Sequence, residues 1–226
     1  MSRKFLVPGT IFLLIAFVLS FLASISVPTL HAIDIVRINS NIPDGIKTDL
    51  PIAKDTRLGI WGFCQTDLND DEHCSHTGHG YNFPLLNLAG NIAVIGSSWT
   101  RGLAVHPVAT AAIFAAFCLS FSSHVTALLA AMITSILAAF LTLLAFIIDI
   151  ALYAYVHHQA KKISDGADNA LDVDTAPGFW LSFVSLLFTL FAGCTVFVGR
   201  RKAADSSPSY PMMTNPSGFF SRFRKN

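Results

Sequence analysis

The chain has 226 residues, 53% of them hydrophobic and 13% charged, which is too apolar for an ordinary soluble domain. Its formal net charge of +1 offers no general attraction to nucleic acid, and the bases it has sit beside apolar runs. Acids and bases are segregated along the sequence, and that segregation carries the topology.

Ser2-Arg3-Lys4, in a cytosolic N-terminus (1–4), precedes an uncharged apolar run, 5–27, read as the first span. At about 1.5 Å rise per residue such a run crosses a hydrocarbon core of roughly 30 Å. A cleaved signal peptide is the rival reading, but the run exceeds the roughly 7 to 15 apolar residues of a signal. A retained helix is therefore expected, with Pro8 in its first turn, where a missing N–H costs little.

The stretch 28–101 is polar and mixed, with acids outnumbering bases and turn signals at 42–45, 49–51 and 83–84. It reads as a large extracellular loop. The alternating segments 32–38 and 58–63 suit short strands of a small sheet lying on the helix ends, with an irregular loop as the alternative. Two apolar segments, 82–88 and 91–99, are too short to span and are expected to pack near the membrane surface.

The second span is placed at 102–121 and the third at 126–156, joined by a cytosolic turn at 122–125 that forces an antiparallel hairpin. Small residues line both helices: Ala109, Ala111, Ala112, Ala115 and Ala116 on one, Ala130, Ala131, Ser135, Ala138 and Ala139 on the other. In lipid, close backbone approach through such residues holds helices together. A second extracellular loop, 157–178, leads to the fourth span, 179–199, and to a cytosolic tail, 200–226, that opens on Arg200-Arg201-Lys202. Bases before the first span and after the fourth put both termini in the cytosol. The tail is Ser/Pro-rich with a basic aromatic end, which reads as disordered; contact with an anionic inner leaflet and a solvated tail both remain open. The fold class expected is an all-α membrane protein, a four-transmembrane-helix bundle with a disulfide-bonded extracellular first loop.

Cys64 and Cys74 lie in that outward, oxidising loop, where a bridge closing about ten residues contributes roughly 2 to 3 kcal/mol in the chain-entropy model. Cys118 and Cys194 fall inside spans, where reduced thiols packing as small apolar groups are expected. His73, His76 and His79 beside the paired cysteines raise zinc as an alternative, but their spacing fits no compact zinc motif and the compartment favours oxidation. Histidine changes charge between about pH 5 and 8, so these three, beside Asp67, Asp70, Asp71 and Glu72, form a candidate pH-titrating set. A solvated polar turn is the alternative.

Gly59-Ile60-Trp61-Gly62-Phe63-Cys64, then Cys74-Ser75 and Gly80-Tyr81, then Arg101 through His106-Pro107, then Phe146 through Asp149, together resemble the PalI family of fungal four-span proteins. That family belongs with the eisosome-associated tetraspan proteins, which are distantly claudin-like, and the resemblance covers about residues 5–200. It implies a non-enzymatic plasma-membrane protein that assists a polytopic, seven-span sensor in ambient alkaline pH signalling. Well-known PalI members carry a long cytosolic tail, and the shorter one here raises the other role of the family, organising membrane domains and supporting the cell wall. Expected partners are that sensor or other tetraspan proteins and the lipid bilayer; a homo-oligomer stays open. No cofactor or metal is expected.

Read physically, His106-Pro107 lies at the outward entry of the second span, where Pro is tolerated and His meets headgroups or loop carbonyls. Asp149 is the only acid in its apolar run and must face the bundle interior or the outer interface, with a hydroxyl or His106 as partner. There is no phosphate-binding loop, nucleophile elbow or helical metal pair, and no interrupted span of the transporter kind.

Overall fold

The computed structural model describes residues 3–40, 53–86, 92–122, 125–164 and 171–205. The long helices are α1 (Arg3–Ser24), α3 (Val105–Ser120), α4 (Val125–Ile163) and α5 (Pro177–Asp205), with a short α2 (Ser97–Thr100) joined to α3 by a 3-10 turn. Among the described residues, three apolar helical stretches, Ser97–Ser120, Leu129–Ile163 and Pro177–Thr195, are long enough to cross a membrane. The 22 residues of α1 extend about 33 Å. The helices form a ring in which α1 packs on α3 and α5, and α4 packs on α3 and α5.

Small residues make the ring tight. Ala16, Ala116, Ala138 and Ala192 are fully buried around Leu13 and Ile113, with Phe12, Phe17, Phe117 and Phe188 packed against them. Of the alanines expected on the walls, Ala109, Ala116, Ala131 and Ala138 are buried, while Ala111 and Ala115 face outward. A helical face returns every three or four residues, so a run of alanines cannot all point inward.

At one end of the ring stands a β layer. The strands are β1 (Val36–Ser40), β2 (Ala53–Leu58), β3 (Phe63–Asp67), β4 (Glu72–Cys74), β5 (Phe83–Leu86), β6 (Ile92–Ile95) and β7 (Leu171–Thr175). Five form an antiparallel sheet in the order β4-β3-β2-β1-β7, and β5 pairs with β6 as a separate hairpin. Val36, Ile38, Thr56, Leu58 and Val173 turn inward and are buried, while Arg37, Asp55, Arg57, Asp172 and Asp174 alternate onto the outer face. The inner face and the hairpin share one core with Leu152, Val156, Ala160 and Ile163 of α4.

The structure moves several boundaries. The α4 helix continues through 157–163, expected as loop, and Leu171–Thr175 of that second loop form β7, which pairs with β1. The segment 58–63 is not one strand: Leu58 ends β2, Phe63 begins β3, and the chain folds back between them, with Gly59 N donating to Gly62 O at 2.9 Å. The segments 82–88 and 91–99 furnish β5, β6 and the start of α2. The turn signals at 42–45 and 49–51, and the tail from 206, lie outside the described residues.

Candidate functional site

The sequence motif around Trp61 works as a clamp between the sheet and the end of α1. Trp61 Nε1 donates to Ser24 O at 2.7 Å, and Ile60 N donates to Ser26 Oγ at 2.8 Å. The first bond satisfies a carbonyl at the C-terminus of α1, where backbone carbonyls lack helical partners, and the second gives the buried Ile60 N–H an acceptor just beyond the helix end. Gly59 is required by proximity: a Cβ there would lie 2.5 Å from Val27 O. Gly62 is buried against Ser75, whose Oγ accepts from Phe63 N at 3.0 Å.

Tyr81 closes the clamp from the other side. Its hydroxyl donates to Gly59 O at 2.6 Å, and its own carbonyl accepts from Thr100 Oγ1 at 2.8 Å. The phenol is therefore tied to the β2–β3 turn while its backbone holds the head of the α2–α3 segment. Burial pushes its pKa up. Gly80 precedes it with φ of +79°, a left-handed conformation that glycine adopts without strain.

The disulfide forms as expected: Cys64 and Cys74 face each other in register on β3 and β4, with Cα atoms 4.0 Å apart. Cys118 and Cys194 are exposed on their helices rather than packed, since each falls on the outward side of its turn. The three loop histidines are not gathered into one cluster. His73 Nε2 lies 3.3 Å from Asp67 Oδ2, and His76 and His79 are exposed.

The second constellation lies between the helices. His106 and Asp149 are buried, and His106 Nε2 is 2.9 Å from Asp149 Oδ1. Of the partners considered for Asp149, the structure selects His106, inside the bundle and one residue into α3. Pro107, next along, sits half-buried in the first turn of the same helix. Asp149 Oδ2 has no hydrogen-bond partner among the described residues. Beside the pair, Ser20, His106, Thr142, Ser182 and Ser185 line a recess of about 10 Å³, which is close to the space one water needs. Hydroxyls join the neighbouring helices: Ser20 and Ser24 of α1 meet Thr110 Oγ1 at 2.6 and 2.8 Å, and Ser185 Oγ of α5 donates to Ala16 O at 3.0 Å.

Residues that sequence reasoning missed hold the two long loops together. Asp34 is fully buried and accepts Arg37 Nε at 2.8 Å and Nη2 at 2.9 Å. That hydrogen bond raises the Arg37 pKa, with burial opposing it and the charges of Asp34, Asp55 and Asp174 adding to it. The Asp34 carbonyl accepts Gly178 N at 2.7 Å, so the entry to α5 is fixed on the first loop. An i, i+3 acid–base spacing was the available signal. His31, equally unforeseen, reaches Glu72 at 3.1 Å, on the face that carries the disulfide.

A search among curated proteins finds no match. The model of the SUR7/PalI family matches residues 5–192, a stretch that runs from α1 into α5 and takes in the clamp, the disulfide and the buried His106–Asp149 pair. The resemblance read from the sequence therefore holds, and the chain belongs to the SUR7/PalI family, a family of non-enzymatic tetraspan membrane proteins.

Proposed function

We propose that this chain is a plasma-membrane tetraspan protein with both termini in the cytosol, and that it assists alkaline pH signalling by supporting a polytopic sensor at the cell surface. The observation that carries this reading is where the motif residues are used. Gly59, Trp61, Tyr81, His106 and Asp149 each serve an internal contact, so their chemistry goes into holding a rigid outer layer on the helices. A rigid surface that carries charged side chains and performs no reaction is what a binding subunit needs. Catalysis gains no support, because neither constellation sets a nucleophile beside a base.

The orientation rests on the bases that precede α1 and those at 200–202, which favour the cytosolic side. His73, His76 and His79 are the residues proposed to make the outer layer respond to ambient pH, with His73 already beside Asp67. Replacing all three with glutamine is expected to blunt the response; an unchanged response removes this part of the reading.

The deciding experiment is growth and pathway activation at alkaline pH in a deletion strain, with sensor localisation imaged in the same cells. Loss of the response together with a mislocalised sensor supports the proposal. A normal response with altered membrane patches moves the function to membrane-domain organisation and cell-wall support.

A further inference from the structure

We propose that in the reduced chain the thiolates of Cys64 and Cys74, the imidazole of His31 and the carboxylate of Glu72 form a four-ligand zinc site, which closure of the disulfide abolishes. Ligand atoms of these four residues all lie within 4.8 Å of one another. Strand alternation produces this convergence. Cys64 faces Cys74 and Thr66 faces Glu72 in the β3–β4 register, so Glu72 and Cys74 share the sheet face on which Cys64 stands. His73, between them, points to the opposite face and meets Asp67. The imidazole that joins the cysteines is instead His31, whose Nδ1 is 3.1 Å from Glu72 Oε2.

The donor set suits zinc. Two thiolates, one imidazole and one carboxylate are ordinary tetrahedral ligands, at about 2.3 Å for sulfur and about 2.0 to 2.2 Å for nitrogen and oxygen. Those bond lengths place the two sulfurs about 3.7 Å apart, well beyond the roughly 2 Å of any disulfide, so the metal and the bridge exclude each other. The movement needed is small and unobstructed, because β4 is a three-residue strand at the sheet edge and all three residues are exposed. Cys64, 2% exposed, supplies the sheltered side of the site.

The chemistry balances without a reductant, since the chain is synthesised with both cysteines as thiols. Zinc binding releases one proton from each thiol and uses neutral His31 and ionised Glu72. Disulfide formation then passes two electrons from the sulfurs to an external disulfide oxidant and frees the metal, which takes no part in the redox step. The Arg57 guanidinium, whose Nη1 donates to His31 O at 3.3 Å, lies beside a site that would carry one net negative charge.

The test uses the full chain in detergent, reduced anaerobically with a phosphine and titrated with zinc chloride against a chromophoric chelator. Reduced wild-type protein is expected to take up one equivalent, and oxidised protein none. His31→Ala/Glu72→Ala should lose at least about tenfold in affinity, whereas His73→Ala and His76→Gln/His79→Gln should retain it. Zinc should also raise the melting temperature of the reduced protein and leave that of the oxidised protein unchanged. No uptake by reduced protein, uptake undiminished in His31→Ala/Glu72→Ala, or loss of uptake in His76→Gln/His79→Gln would each overturn the proposal.

Discussion

Tyr81 and the His106–Asp149 pair show what single residues contribute. The folded phenol has a raised pKa, so it keeps its proton at a pH where the unfolded chain, near the ordinary value of about 10, loses it. Its contribution is intact below that value and declines as pH rises above it. Tyr81→Phe should therefore do two things: lower stability at pH 7 by about 1 to 3 kcal/mol, because Gly59 O loses its buried donor, and reduce the further loss between pH 7 and about 10.5. Melting curves of both proteins at the two pH values check this, and an equal alkaline loss would contradict it. For the pair, His106→Leu leaves the Asp149 carboxylate buried with neither oxygen partnered, a cost of about 3 to 5 kcal/mol. Adding Asp149→Leu should recover part of that loss in a double-mutant cycle. Asp149 was legible in the sequence because an acid in an apolar run is costly in lipid and must turn inward to a polar partner or reach the interface. The Trp61 bond to Ser24 O was not, since a carbonyl becomes an acceptor by lying at a helix end and every residue type carries one.

Among the elements, α4 departs most from what was expected. Polar residues at His157, His158, Lys161 and Lys162 read as a loop, yet Leu152, Val156, Ala160 and Ile163 recur at helical spacing and are buried. The polar positions are the solvent face of an amphipathic extension, and the pattern was present in the sequence. The pairing of β7 with β1 was not, because Leu171 to Thr175 alternates correctly but carries no signal naming a partner strand more than a hundred residues away. The contacts that join elements are close enough to exclude a methyl group. A Cβ at Gly59 would lie 2.5 Å from Val27 O, and one at Gly178 would lie 2.6 Å from Asp34 O, whereas Gly193 has nothing within 4 Å. Gly59→Ala and Gly178→Ala should each prevent accumulation of folded protein, since the obstacle is backbone. Gly193→Ala, inside α5, should be neutral or stabilise by up to about 1 kcal/mol. Expression and size-exclusion profiles of the three variants distinguish these outcomes.

For the whole molecule, the length of α4 relates the sheet to the bilayer. Its 39 residues extend about 58 Å, nearly twice a hydrocarbon core of roughly 30 Å. A hydrocarbon core takes up about 20 residues, so the turns at one end of α4 must stand in water. Those turns carry the core of the β layer, so the sheet rests on a continuous helix and any tilt of that span is transmitted to it without a hinge. The charged outer face of the sheet and the exposed Lys161 and Lys162 belong on this aqueous side. Under the proposed orientation, Lys162→Cys in a background of Cys118→Ser and Cys194→Ser should react with a membrane-impermeant maleimide on intact cells. A cysteine added at either terminus should react only after permeabilisation. Labelling of a terminus on intact cells, or of Lys162→Cys only after lysis, would invert the topology and turn the β layer toward the cytosol, where reducing conditions work against the Cys64–Cys74 bridge. The disulfide and the labelling pattern therefore test the same assignment by independent chemistry.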